Sequence, residues 1–597
     1  MTGREQETID PITAQVIGGR FYSACLEAGR KLQRMSFSSI IRESEDYGVV
    51  LTDAEGHQLT EISTTPLMMG CLVFCARGVM KLVKELGDTI YEGDVWIHND
   101  AYYGASHSPD IAIVTPAFHR GELIGFAVTQ AHAIDTGGSK PGSSSIDAVD
   151  TYAEGLRLRA IKVYEKGKRN EWVWRYIRDN VRVPDMIIGD LEAQVAAANL
   201  AAERYAQIME EFGKENVAQA TAWLADYSER MLREAIARLP DGVYCAEGFC
   251  DGYPAEDDPL KKNIKIAVTL TISGSELSVD LTGSAAQVPD RCINMPFEGT
   301  VHTCVMTVVR SLLLDEAIHG FIPQNDGIWR AIKVTAPLGS IANPTFPTAT
   351  IARFQTGQCL ANTLMKAFSQ AAPELACAGC AHLCAFIYAG VAPTGSHWVF
   401  FDLLDSSHGA MDGMDGYDAV DSLYINTRNV PIEDIESHYP VRVLESQLRL
   451  DEPAPGKFRG GLGTQRALQH LGHGWCSAES DGTVHAPWGL FGGSAGRVAE
   501  ISINPGSVNP RRLDSKFTGL AMKPGDVLYC RTGSSGAYGD PLERDPQKVL
   551  SDYLDDLISA ESARRDYKVV IDVQHKALDL AATHRLRAER HVGGGQP

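Results

Sequence analysis

The densest concentration of groups able to bind a metal or move a proton lies between His98 and Gly138. It begins His98-Asn99-Asp100-Ala101-Tyr102-Tyr103-Gly104-Ala105-Ser106-His107-Ser108-Pro109-Asp110 and resumes as Gln130-Ala131-His132-Ala133-Ile134-Asp135-Thr136-Gly137-Gly138. Imidazole and carboxylate together make a mixed nitrogen and oxygen ligand set, which zinc or manganese accepts without thiolates. His107/Asp110 and His132/Asp135 repeat one H-x-x-D spacing beside glycine-rich loops. Each residue alone reads as a turn or structural residue, because Asp and Asn favour turns. As a group they point to a divalent-metal site. Short apolar segments at 111–114 and 123–128 predict two strands between the loops, and their pairing would bring both loops to one end of a sheet.

Downstream, Pro141-Gly142-Ser143-Ser144-Ser145 could cradle a phosphate or an enolate oxygen with backbone N–H groups. Lys140 could neutralise a phosphorylated intermediate there, so Lys140 and Ser143 are the substrate-binding candidates; a solvent-facing loop accounts for the same residues equally well. Cys377 and Cys380 form a C-x-x-C with Cys384 nearby, but the second pair of a zinc ribbon is missing, and small buried hydrophobes are the expectation. Asp402, His408, Asp412, Asp415 and Asp418 form an acidic stretch without EF-hand spacing, expected as a loop near a domain contact. The strand–elbow–helix context of a nucleophilic serine is missing. No G-x-x-x-x-G-K-[ST] phosphate loop is present.

These groups need a frame. A helix is predicted through Phe21, Cys25 and Leu32, then a strand at 48–52 closed by the Asp53-Ala54-Glu55-Gly56 turn, then a helix over 72–86. Residues 191–239 read as helical, with Leu224, Tyr227, Met231 and Ala235 on one face and an end before Pro240. Ile264, Ile266, Val268, Leu270 and Ile272 alternate strictly, Ser273-Gly274-Ser275 turns, and Leu277, Val279 and Leu281 alternate again, which predicts a hairpin with one buried face. Further helices are expected near 360–375 and 546–563. The fold class is mixed α and β in several lobes: an α/β N-terminal region with the metal site (1–190), a helical segment (191–240), a β-rich domain (241–350) and a C-terminal α/β domain (351–583). A basic, then glycine-rich tail (584–597) is expected to be disordered.

The 597 residues allow about three to five domains. A hydrophobic share of 44% and a charged share of 22% are those of a soluble globular protein. The net charge of −21 argues against nucleic-acid and anionic-membrane partners, which need surplus Lys and Arg. Met1 to Asp10 is polar with no apolar export core, and no apolar run is expected to span a bilayer. Thirteen irregularly spaced cysteines then suggest reduced thiols in the cytoplasm.

The ligand-rich stretch resembles the hydantoinase B family segment N-D-P-Y-x-G-G-T-H-x-P-D followed by A-H-x-x-D-x-G-G. The likeness continues through Asn180-Val181-Arg182-Val183-Pro184, Gly189-Asp190-Leu191-Glu192-Ala193-Gln194, Asp280-Leu281-Thr282-Gly283-Ser284, Ile322-Pro323-Gln324-Asn325-Asp326-Gly327 and Phe458-Arg459-Gly460-Gly461-Leu462-Gly463. The resemblance implies a subunit that holds a divalent metal and works with a hydantoinase A-type partner. That partner binds ATP and phosphorylates a carbonyl oxygen of a small-molecule substrate, with or without small accessory subunits. Carried over residue by residue, the ligands are Asp46, Asp100, His132 and Asp135, with His107 and Asp110 as catalytic or orienting groups. Ala101, Ala105 and Ala133 depart from the pattern, the last removing a second histidine. The family implies three readings for this chain. The first is a subunit of a ketone carboxylase of the acetophenone or acetone type, preferred for the Gln33–Ser39 stretch and the departures. The second is a subunit of an ATP-dependent lactam or hydantoin hydrolase. The third is a non-catalytic scaffold for the ATPase subunit.

Overall fold

Ile17, Phe21, Ala24, Ala28 and Leu32 recur at three- and four-residue steps, and they form the buried face of a helix spanning Pro11–Met35. In the computed structural model, which describes residues 9–588, this helix lies with a second, Pro184–Phe212, on one face of a seven-stranded sheet. The strands are β1 (Tyr47–Asp53), β2 (Gln58–Ser63), β3 (Val95–His98), β4 (Asp110–His119), β5 (Glu122–His132), β6 (Ile161–Glu165) and β7 (Lys168–Arg169). They run in the order β2-β1-β5-β4-β3-β6-β7, antiparallel throughout. Successive side chains point to opposite faces of a strand. Ile111 and Ile113 therefore join the core under those two helices, while Ala112 and Val114 join a second core under the helix Leu72–Leu86. A sheet covered on both faces reads as nearly continuous apolar sequence, which is why 111–114 shows no alternation.

The stretch Pro66–Leu86 has a mean hydropathy of 1.6 and is long enough to cross a membrane, contrary to the expectation that no such run exists. Its apolarity has an internal cause. The helix sits between the seven-stranded sheet and the helix His302–Leu313, and 67% of the apolar window is buried.

The helical region 191–239 is two helices, Pro184–Phe212 and Lys214–Ile236, separated at Gly213, whose φ of 79° leaves the helical region. The predicted hairpin is β9 (Lys262–Ser273) with β10 (Glu276–Asp280), registered Leu277 to Ile272 and Val279 to Leu270, with the alternating Ile, Val and Leu side chains buried. With β8 (Gly242–Gly252) and β11 (Ile332–Thr335) it forms a sheet ordered β11-β10-β9-β8. Against it packs the helix Arg353–Ala371, which begins earlier than the sequence pattern suggests. Arg353, Gln355, Thr356 and Gln358 are all buried in it, so no polar face marks its start.

Two more sheets complete the chain. One has the order β13-β12-β16-β19, from β12 (Cys384–Val391), β13 (His397–Leu404), β16 (Gly474–Glu479) and β19 (Lys516–Met522). The other, from β14 (Val441–Leu448), β15 (Thr464–His470), β17 (Glu500–Ile503), β18 (Arg511–Leu513) and β20 (Val527–Arg531), has the order β14-β15-β20-β17-β18. Helices Pro546–Leu554 and Ala560–Asp566 follow. Of the expected disordered tail, 584–588 continue the helix Leu580–Ala588; the remainder lies outside the described residues.

Candidate metal centre

Antiparallel pairing of β4 with β5 places Asp110, the first residue of β4, directly across from His132, the last residue of β5. His107 stands three residues earlier, in the turn that feeds β4 through the bond from Asp110 N to His107 O. One ligand atom from each of His107, Asp110 and His132 lies within 4.8 Å of the other two, and all three residues are buried. The expectation that both loops meet at one end of a sheet thus describes the geometry.

The hydrogen bonds around the trio orient it. His107 Nδ1 is 2.7 Å from the carbonyl of Ile351, which can only accept, so Nδ1 carries the proton and Nε2 offers a lone pair. That Nε2 approaches Asp110 Oδ1 to 2.9 Å, yet it makes no hydrogen bond. His132 Nδ1 is 3.1 Å from the same oxygen, and His132 Nε2 is buried without a partner. Asp110 Oδ2 accepts from Arg353, at 2.9 Å, and from Ser106 Oγ. Asp46 stands just outside, its Oδ2 4.0 Å from His132 Nδ1, and Oδ1 accepts from Thr65 Oγ1.

Burial and charge set the protonation of these groups. Burial pushes the Asp110 carboxyl up, but the hydrogen bond with His132 and the Arg353 charge hold Asp110 well below the usual carboxylate range. Asp46, buried and facing the Asp110 charge, is raised to about 6. Burial, reinforced by the Arg353 charge, lowers His107 to about 4, so the imidazole is neutral at pH 7. Two electron-rich ring nitrogens and an ionised carboxylate, converging in a buried space, fit a divalent cation of the zinc or manganese type.

A cavity of about 50 Å³ opens beside the cluster. Asp46, His107, His132, Arg353 and Glu479 face it, and Ile40, Leu67, Phe354, Phe401 and Leu403 supply apolar wall. A larger cavity of about 640 Å³, lined by His57, Arg77, His302 and Trp329 among others, shares no lining residue with it.

The other sequence candidates lie apart from the trio. Asp100 caps the turn Ala101–Tyr103 by accepting from Tyr102 N, and pairs with Arg157 at 2.7 Å and Arg159 at 2.9 Å. Asp135 accepts from Gly137 N and Gly142 N and pairs with Arg182 at 2.9 Å. Ser143 Oγ accepts from Thr136 N and Gly138 N, so it ties its own loop together. Lys140 is half-buried in the same loop, and neither it nor Ser143 lines the cavity. Its neighbour Ser144 donates to the carboxylate of Glu479, a residue of the cavity wall that burial raises to about 7. Arg353 and Glu479 are the polar groups that sequence reasoning missed. Both arrive from distant segments, in mixed polar stretches whose pattern does not single them out. The acidic stretch after 402 is structural: Asp415 pairs with Arg544 and Asp418 with Arg459.

A several-sheet α/β protein with a His/Asp/His cluster at the end of a β-hairpin is the class that fold and site define. The chain belongs to the hydantoinase B/oxoprolinase family, whose pattern it matches over residues 10–541. It is 48% identical to a candidate D-/L-hydantoinase B-type subunit of Pseudomonas sp. (strain NS671), over 97% of this chain and 98% of the other. It is 30% identical to the beta subunit of the caprolactamase of Pseudomonas jessenii, over 97% and 99%. The crystal structure of the ATP-dependent caprolactamase from that organism superposes with a TM-score of 0.85 at 28% identity, covering 98% of this chain and 100% of the other.

Proposed function

We propose that the chain is the metal-holding catalytic subunit of an ATP-dependent cyclic amide hydrolase of the hydantoinase or lactamase type. Its nucleotide is bound by a hydantoinase A-type partner, and the complex works in the cytoplasm. The observation that carries this reading is the convergence of His107 Nε2, at 2.9 Å, and His132 Nδ1, at 3.1 Å, on one oxygen of the buried Asp110 carboxylate, beside a cavity with apolar walls. A bound divalent metal would polarise the substrate and lower the pKa of a water. The chain's own residues do the rest. Ile351 fixes the His107 tautomer, and Arg353 keeps Asp110 ionised and oriented. Asp46 and Glu479, both shifted toward neutrality and both lining the cavity, can hold or release a proton there. Ile40, Leu67 and Phe401 exclude water and accept the methylenes of a ring. In this reading Lys140 and Ser143 act on substrate through the 139–145 loop, which carries Ser144 to Glu479.

The sequence alone put ketone carboxylation first. The identities support the opposite order: 48% to the hydantoinase chain and 30% to the caprolactamase chain, against 27% to the acetophenone carboxylase delta subunit of Aromatoleum aromaticum. Carboxylation is the second reading. The test uses the complex reconstituted with its ATP-binding partner. ATP-dependent ring opening of a hydantoin or lactam, lost in His132→Ala, is the expected result; incorporation of labelled bicarbonate into a ketone instead would establish the second. A preparation without stoichiometric metal would return the chain to the scaffold role.

A further inference from the structure

The C-x-x-C at Cys377 and Cys380 is not used by the metal centre. The two sulfurs lie 3.9 Å apart, and neither is in a disulfide. Cys380 is buried and lines a cavity of about 190 Å³ together with His382, His485 and Trp488, while Cys377 is half-buried. Two other cysteine pairs come close, Cys250 with Cys359 and Cys384 with Cys530, but both members of each are buried. Among these pairs of described residues, the C-x-x-C is the one with a member that is not fully buried.

We propose that Cys377 and Cys380 form a redox-active dithiol that closes reversibly to an intramolecular disulfide in exchange with a low-molecular-weight disulfide. The half-buried Cys377 attacks one sulfur of the oxidant RSSR as its thiol proton passes to the departing RS⁻, forming the protein mixed disulfide and RSH. The Cys380 thiolate then attacks the Cys377 sulfur, forming the internal S–S bond and expelling the second RS⁻. Two protein thiol protons go to the two RS⁻, and the balance is one dithiol plus RSSR to one disulfide plus two RSH. The surroundings suit the second step. Gly409 N–H donates to Cys380 Sγ at 3.5 Å. The Cys377 hydrogen bond, helped by the nearby His408, draws the Cys380 thiol down to about 6 against the effect of burial. Other contacts hold the loop's backbone: Cys380 N donates to Asn362 Oδ1, Gly379 N to Trp488 O and Ala381 N to Ser535 Oγ. The sulfurs can therefore approach by side-chain rotation.

The test is a redox titration of the full chain in glutathione buffers, with thiols trapped by alkylation and read by intact mass and fragmentation. Oxidation should remove two alkylatable thiols and lower the mass by two hydrogens, localised to 377–380 and reversed by dithiothreitol. Cys380→Ser should stop at a glutathione adduct on Cys377, and Cys377→Ser should show neither product. A wild-type chain that accumulates the Cys377 adduct without closing, bridges to Cys384, or keeps both thiols in fully oxidised buffer overturns the proposal. The wild-type measurement decides even if a variant fails to fold.

Discussion

Asp110 and His132 are cross-strand partners at the adjoining ends of β4 and β5, with Asp110 Oδ1 3.1 Å from His132 Nδ1. A register slip of one residue would turn every side chain of one strand to the opposite face and part the two groups. The alternating burial of Ile111, Ile113 and Ala112, Val114 under helices on both faces therefore fixes the site as well as the core.

The trio and the flanking aspartates separate in a metal-content experiment. Asp110→Asn and His132→Ala should reduce bound zinc or manganese from stoichiometric to near background by elemental analysis of the purified chain. Asp100→Asn, which loosens only Arg157 and Arg159, should retain it. Loss of metal in Asp100→Asn with retention in Asp110→Asn would reverse the assignment of ligands.

Arg353 is the buried counter-charge of Asp110, and both side chains are almost fully enclosed. Removing one partner leaves an uncompensated buried charge, so Arg353→Met should destabilise the metal-free chain by about 3–5 kcal/mol in denaturant titration. Metal affinity should fall on the order of 10–100-fold through the misoriented carboxylate. An unchanged midpoint would mean that the pair contributes nothing net.

Glu154 supplies a pH dependence one residue removed from the trio, through Ile351, which accepts from His107 and donates to Glu154. Burial lifts its carboxyl to about 8, although Thr350 N and Ile351 N both donate to Oε1. Between its unfolded value and about pH 8 the folded chain keeps a proton that the unfolded chain has lost, so this group makes stability fall as pH rises. Glu154→Gln keeps the amide-accepting oxygen and has no proton to lose. The stability of the variant relative to wild type should climb between pH 5 and pH 8, by up to about 1.4 kcal/mol per pH unit. Parallel stability curves for the two proteins would show that Glu154 ionises normally.

Gly142 joins the 139–145 loop to the β12–β13 sheet. Its φ is 73°, and a Cβ there would stand 2.5 Å from Ile387 Cγ2. Gly121, with a φ of 80° and open space around it, is the matched control for backbone strain alone. Gly142→Ala should lower stability by about 1–3 kcal/mol more than Gly121→Ala, since overpacking adds to strain. Equal thermal shifts would mean that the sheet yields freely at this point.

Much of the local structure is determined by the sequence itself. The helix over 72–86 and the hairpin at 262–280 follow from periodicity and turn residues, and the two strands between the ligand-rich loops from short apolar runs, because those are short-range properties. The same reasoning gathered the acids and imidazoles of 98–138 into one neighbourhood. It did not decide which of them share a point, because H-x-x-D spacing treats Asp110 and Asp135 alike. Tertiary structure separates them. Arg182 and two backbone amides take up Asp135, Arg157 and Arg159 take up Asp100, and Arg353 arrives across 243 residues to hold Asp110 against His132. Asp110 and His132 meet through a strand register and a distant counter-charge, and neither leaves a mark in local sequence.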